Sequence, residues 1–168
     1  MNDTGYIRKI DELGRIVIPK EVRKKLRIND GESLIISASE KNINLSKYSY
    51  IETNHKFIES VGDQTSFITG YNVIIVDTDR IIYSTNRFND NLVSQIIKSY
   101  ITARTSVSLS NLEINANEKI SGNIHVEPII ANSLCMGLVI IYKNETDDFL
   151  SKTARLLANI ISIHIDES

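Results

Sequence analysis

Apolar positions in the first fifty residues fall at strand-like intervals, interrupted once by a helical spacing. Arg15-Ile16-Val17-Ile18 is a β-branched run suited to a strand, with Ile16 and Ile18 on one face and Arg15 and Val17 on the other. Gly14 closes the turn before it, where positive φ costs glycine little, and a short strand is expected on the far side of that turn. Pro19 suits a helix start, since its missing N–H would be unpaired there in any case. Val22 and Leu26 then share one helical face, while Lys20, Arg23, Lys24 and Arg27 recur on another. Asn29-Asp30-Gly31 reads as a helix stop. Leu34 and Ile36, then Ile43 and Leu45, alternate with their neighbours as two strands joined around Ser39-Glu40-Lys41. Four short strands and one short helix in under fifty residues bury too little surface to stand alone. With Cys135 as the single cysteine, no disulfide can staple them, so an interleaved dimer is the economical solution.

The period changes after Lys47-Tyr48-Ser49-Tyr50 with no Pro- or Gly-rich linker. Ile51, His55, Ile58 and Gly62 fall at helical spacing beside Phe57 and Val61. A mixed α/β pattern follows. Residues 71–76 (YNVIIV) predict a buried strand, residues 77–80 a turn and residues 81–83 a strand pairing back. Phe88, Leu92, Ile96 and Tyr100 or Ile101 predict a helix from about Asn89. Residues 105–109 form a weak strand candidate, and residues 111–122 are polar enough for a loop. Residues 124–131 and 135–142 predict a second hairpin turning at Asn132-Ser133, with Pro128 demoting its first strand to an edge or bulge. Asp147-Asp148 opens a last helix, placing acids at the positive end of its dipole. Its apolar residues are Phe149, Leu150, Leu156, Leu157, Ile160, Ile161, Ile163 and Ile165, a stripe wide enough to face a second chain as well as its own core.

Composition narrows the class. The 168 residues are 42% hydrophobic and 24% charged, ordinary for a soluble globular chain. No long uninterrupted apolar stretch predicts a membrane span, MNDTGY has no basic-then-apolar signal pattern, and one cysteine fits a reducing compartment. A cytoplasmic protein is expected. Charge is unevenly spread. Residues 8–27 carry eight basic side chains against three acidic, a surplus of five, although the whole chain is −2. Residues 1–48 sum to +3 and residues 49–168 to −5. The basic run reads either as a solvated helix face or as the footprint of a polyanion-binding unit, and a basic head on an acidic body implies two tasks.

Candidate chemistry is sparse. His55, His125 and His164 lack metal-ligand spacing, and Cys135 sits in an apolar strand pattern as a small hydrophobe. A Cys135–His125 pair across the hairpin would have no third group to orient it. The seven glycines form no phosphate-binding loop, and Asp77 and Asp79 belong to a turn. No catalytic residue, metal site or cofactor is expected, which argues against an enzyme.

The stretch TGYIRKIDELGRIVIPKEVRKKLRINDGESLII resembles the AbrB-type swapped-hairpin DNA-binding domain of bacterial transition-state regulators, over about residues 4–49. Length and order of the remainder resemble the stage V sporulation branch of that family, which adds a GAF-like domain. VEPIIANSLCMGLVIIYK resembles the central strand pair of GAF domains, a likeness that rests mostly on element order. The resemblance implies an α+β chain: residues 1–50 as a swapped-hairpin β-barrel dimer (AbrB/MazE-like), and residues 51–168 as a mixed α/β GAF-like regulatory and oligomerisation domain. It implies binding of double-stranded promoter DNA, AT-rich and read through shape and flexibility, by a nucleoid-associated regulator of sporulation or transition-state genes. The family's DNA-contacting basic positions match Arg8, Lys9, Arg15, Arg23 and Lys24. Where the family often has arginine, Lys24 offers a point charge without the fork that reads guanine, which assigns it to phosphates. Arg15 has Asp11 and Glu12 within reach across the turn as further partners. Helices of the body would join dimers into a homotetramer. A small-molecule effector pocket would lie between the sheet and the helix expected over residues 88–101, and the residues leave open whether one exists. Two other readings remain: an antitoxin using the same head, and an enzyme or ligand-binding module with an incidental basic head.

Overall fold

The computed structural model describes residues 5–26, 28 and 30–167. Thr4, Arg27 and Asn29, which entered the expectations for the first stretch, lie outside the described residues. The chain separates into two compact units, Met1–Tyr48 and Ser49–Ser168.

In the first unit a tight turn joins Asp11 to Arg15. Gly14 takes φ 75° and donates to the Asp11 carbonyl at 2.9 Å, and the Asp11 amide donates to the Arg15 carbonyl at 3.0 Å. Helix α1 (Lys20–Leu26) follows Pro19, whose carbonyl accepts from the Arg23 amide at 3.0 Å. Strands β1 (Leu34–Ser39) and β2 (Asn42–Lys47) pair antiparallel from Leu34 opposite Lys47 to Ser39 opposite Asn42. The expected strand Arg15–Ile18 and its partner before Gly14 enter no ladder, and the sheet of this unit is an open two-stranded hairpin with no closed barrel. The physical reason is on the surface: no described residue before Ile51 is buried, and Ile7, Ile10, Leu13, Ile16, Val17, Ile36 and Ile43 are all exposed. Strands held by side-chain burial cannot form a barrel where one chain offers nothing to bury them against.

The second unit is a five-stranded antiparallel sheet in the order β4-β3-β7-β6-β5. Its strands are β3 (Asn72–Val76), β4 (Ile81–Ser84), β5 (Val107–Glu113), β6 (Lys119–Ala131) and β7 (Leu134–Lys143). Helix α2 (Tyr50–Thr53), helix α3 (His55–Thr69) and helix α5 (Leu150–Asp166) serve one core, and helix α4 (Gln95–Ala103) serves the other. Alternation along β3 and β7 explains the two cores. Val73, Ile75, Val139 and Ile141 join Ile58, Leu157 and Ile161 on one face, whereas Ile74, Val76, Leu138 and Ile140 join Ile97 and Ile101 on the other. A sheet covered on both faces reads as continuous apolar runs, as YNVIIV and GLVIIY do. Gly137 is required by close approach, because a Cβ there would collide with the Val76 carbonyl.

Several boundaries differ from expectation. The first helical segment breaks at Asn54, whose side chain donates to the Tyr50 carbonyl and separates α2 from α3. Helix α4 begins at Gln95, capped by the Ser94 hydroxyl, and residues 89–93 are irregular. Backbone bonds from Val93 to the Asp79 carbonyl and from Ile81 to the Asn91 carbonyl compete there with the helix. The polar run 111–122 is a hairpin continuing β5 into β6, because Leu112, Ile114 and Ile120 reach the second core. Strand β6 is interior to the sheet, yet β5 ends opposite Val126, so Pro128 lies where β6 has only β7 beside it and next to a bulge at Ile129/Ile130. The Asn132-Ser133 turn forms with φ 49° and 63°, values that suit a two-residue hairpin turn.

Candidate nucleic-acid interface

The candidate basic residues lie around the Asp11–Arg15 turn and on α1. Arg8 and Lys9 precede the turn and are exposed; Arg8 Nη1 donates only to the neighbouring Ile7 carbonyl, at 3.2 Å. Arg15 leaves the turn 73% exposed, with its Nε donating to Asp11 Oδ2 at 2.7 Å. Asp11 Oδ1 accepts from the amides of Arg15 at 2.8 Å and Leu13 at 3.0 Å. Bonds from the Arg15 amide and then the Arg15 side chain hold the Asp11 carboxyl below its ordinary pKa. Of the two acids within reach of Arg15, Asp11 takes the pair.

On α1, Arg23 Nη1 donates to Asp30 Oδ1 at 2.7 Å, and Asp30 is 95% exposed. Lys24 is exposed beside it, on a helix with Glu21 in its first turn and Arg23, Lys24 and Lys25 in its last. Cations at the C-terminal end satisfy the helix dipole while projecting charge outward. The pairing of Arg23 with Asp30 had no signature in the sequence, where Asp30 reads only as part of a helix stop. The unit thus presents an exposed Arg15 and Lys24 and a half-buried Arg23, each arginine paired with a carboxylate.

The region between the sheet and α4, where an effector pocket was expected, is occupied by Ile74, Val76, Ile97, Ile101, Leu138 and Ile140, all buried. A cleft of about 330 Å³ opens elsewhere, lined by Ser108, Asn123, Thr146, Asp147, Asp148, Leu150 and Ser151. Beside it lies a polar cluster that the sequence did not reveal. His125 is buried, with Nδ1 2.9 Å from Ser108 Oγ and Nε2 3.1 Å from Ser106 Oγ and 3.0 Å from Glu127 Oε2. Arg155 Nε of α5 stands 3.6 Å from the other Glu127 oxygen. Ser108 and Glu127 take opposite nitrogens of the ring, the Ser106 hydroxyl sharing Nε2 with the carboxylate, and together they satisfy a buried histidine on the interior strand β6. Cys135 and His125 lie in different surroundings: the Cys135 thiol bonds to the Gly137 carbonyl, and burial pushes its pKa up, away from nucleophilic character. Among the described residues no group of three or more His, Cys, Asp or Glu side chains is placed to hold a metal ion, and no helix is long and apolar enough to cross a membrane.

Comparison with known proteins gives two family matches. Residues 7–52 match the family described as "Antidote-toxin recognition MazE, bacterial antitoxin". Residues 52–165 match the family described as "Stage V sporulation protein T C-terminal, transcription factor". The chain is 32% identical over 154 residues to stage V sporulation protein T of Bacillus subtilis (strain 168), covering 86% of each chain. It is 48% identical over 48 residues to the transition state regulatory protein AbrB of the same organism, covering 29% of this chain and 50% of that one. Among solved structures, residues 122 to 287 of a methyl-accepting chemotaxis protein align with TM-score 0.52 at 13% identity, over 68% of this chain and 90% of that one. The GAF domain of an Acinetobacter phosphoenolpyruvate-protein phosphotransferase aligns with TM-score 0.51 at 12% identity, over 73% and 85%. At these identities the structural likeness shows the fold alone: an AbrB/MazE-type first domain is followed by a GAF-like second one.

Proposed function

The chain belongs to the stage V sporulation protein T family, and from that premise we propose that it is a transcriptional regulator of sporulation or transition-state genes that grips promoter DNA with paired basic heads. The observation that carries this reading is the set of basic side chains Arg8, Lys9, Arg15, Arg23 and Lys24, with Arg23 half-buried and the other four exposed, on a unit with no buried described residue. The exposed Ile7, Ile10, Leu13, Ile16 and Val17 call for a second copy, and interleaving two copies sets two basic surfaces on one dimer. Arg8, Arg15 and Arg23 contact DNA, and Lys9 and Lys24 support them on phosphates. The target is AT-rich duplex whose flexibility lets both heads engage.

The body then joins dimers. Phe149, Thr153, Leu156, Ile160 and Ile163 recur at alternating intervals of four and three along α5, opposite the buried Ala154, Leu157, Ile161 and Ile165. Four of the five are exposed large hydrophobics, the seam spacing of packed helices. A homotetramer with four heads follows. The antitoxin reading draws on the match over residues 7–52. Against it stands the second unit, folded around two buried cores and matched as a transcription-factor domain.

The test is fluorescence anisotropy of an AT-rich duplex of about 30 base pairs, titrated with intact protein across salt concentrations. Log affinity is expected to fall linearly with log salt, by about 0.9 per phosphate neutralised. Arg15→Ala and Arg23→Ala are each expected to weaken binding by about 1–3 kcal/mol without unfolding. Absent or salt-independent binding overturns the reading, and unchanged binding with both arginines removed overturns the site.

A further inference from the structure

The two candidate arginines are held by carboxylates in different ways, and the difference bears on what each can recognise. Asp11 is itself fixed to the backbone: Oδ1 accepts from two turn amides, at 2.8 and 3.0 Å, leaving Oδ2 for Arg15 Nε at 2.7 Å. The plane of the Arg15 guanidinium is therefore referenced to the main chain of the turn. The contact uses Nε alone, so Nη1 and Nη2 remain as an outward fork on a side chain 73% exposed. That fork matches O6 and N7 of guanine in the major groove. Arg23 is engaged through Nη1, by an aspartate that is 95% exposed. One tine of its fork is already taken, and its partner can be exchanged for a phosphate oxygen.

We infer that Asp11 is a positioning residue that presents Arg15 as a guanine reader, while Arg23 serves the DNA backbone. This rests on the DNA-binding reading above and deepens it: each head carries one base-specific contact within a site otherwise selected by shape. The spacing D-x-x-x-R across a glycine turn brings this about, because the turn folds the aspartate back onto both the amide and the side chain of the fourth residue after it. The same bonds favour the ionised form of Asp11, the form that accepts from Nε.

The experiment uses the intact protein and two sets of duplexes of about 30 base pairs. One set is entirely A·T; the other carries a single G·C pair moved along the same frame, with guanine or 7-deazaguanine, which lacks the N7 acceptor. Wild-type protein is expected to prefer at least one guanine-bearing duplex about tenfold over the all-A·T duplex and over its 7-deaza counterpart. Asp11→Asn keeps an oxygen for the turn amides but sets an amide NH2, itself a donor, opposite Nε, so the Nε contact is lost and this preference is expected to collapse toward unity while salt dependence persists. Arg15→Lys keeps the charge and removes the fork, and is expected to lose the preference equally. A structural role alone would weaken both duplex sets together, and that result overturns the inference. So does a wild type without guanine preference, or an Asp11→Asn protein that keeps it; in both cases DNA binding itself still stands. No binding to any duplex overturns the DNA-binding reading and the inference with it.

Discussion

Tyr71 ties the entry of β3 to the approach of α5 through one side chain. It is 5% exposed just before β3, and its hydroxyl donates to Asp147 Oδ2, just ahead of α5, at 2.6 Å. Burial first, and the Asp147 bond second, push its pKa up to about 12. The folded state therefore favours the neutral phenol, so this contribution is complete below the unfolded value of about 10 and is lost as pH rises from about 10 to about 12. Asp147 has the opposite sign: the Tyr71 hydroxyl, then the Phe149 amide, hold its carboxyl low, so its contribution is present above the ordinary carboxylate range and fades as pH falls through the lowered value. Thermal melts of wild type and Tyr71→Phe between about pH 8 and about pH 12 are expected to converge as pH rises, because the variant has no phenol to ionise. Parallel curves would mean that Tyr71 does not titrate in that window. At this scale the sequence could show only local partners. Asp11 and Arg15 are four apart across a glycine turn and were legible. Asp147 is 76 residues from Tyr71, and the serines around His125 arrive through the register of β5 on β6, which no spacing in the chain announces.

Helix α5 was legible as an element, and so was the breadth of its apolar stripe. The breadth of its apolar stripe exceeded what one core can cover, and the structure divides it accordingly: Leu157, Ile161 and Ile165 face the sheet, and Leu156, Ile160 and Ile163 face outward. Replacing Leu156 and Ile160 by lysine is expected to halve the mass of the intact protein in light scattering, from tetramer to dimer. Its melting temperature should change little, since substitutions away from the core are worth about 0.5 kcal/mol or less. A wild-type protein that is already a monodisperse dimer would refute the tetramer. The elements misplaced from sequence share one cause. Helical spacing of Phe88, Leu92 and Ile96 is real, but Asn89 is bonded to Glu118 and residues 91 and 93 to neighbouring backbone, which leaves α4 only from Gln95. Residues 111–122 looked like a loop because a hairpin at the sheet edge needs few apolar side chains, and Leu112, Ile114 and Ile120 are too dispersed to stand out.

Across the whole molecule, the charge division of +3 and −5 matches a division of structure. Among the described residues the basic unit buries none, whereas the acidic unit holds both cores. That asymmetry sets where affinity arises. Residues 1–52 alone are expected to form a dimer, because interleaving is what covers Ile7, Ile10, Leu13, Ile16 and Val17, and they carry every candidate DNA contact. If α5 tethers a second dimer as proposed, the intact chain is expected to gain avidity on the order of 10²-fold or more without any new contact. Doubling the heads also doubles the phosphates neutralised, so intact protein should show about twice the salt slope of the fragment on a duplex long enough for four heads. On a duplex that accommodates only two heads, the slopes should coincide and the affinity gap should close. Dependence on duplex length separates avidity from a direct contribution of the acidic unit, which would follow the protein onto short DNA as well. Equal affinity of fragment and intact chain on long DNA would mean that the body contributes nothing to grip.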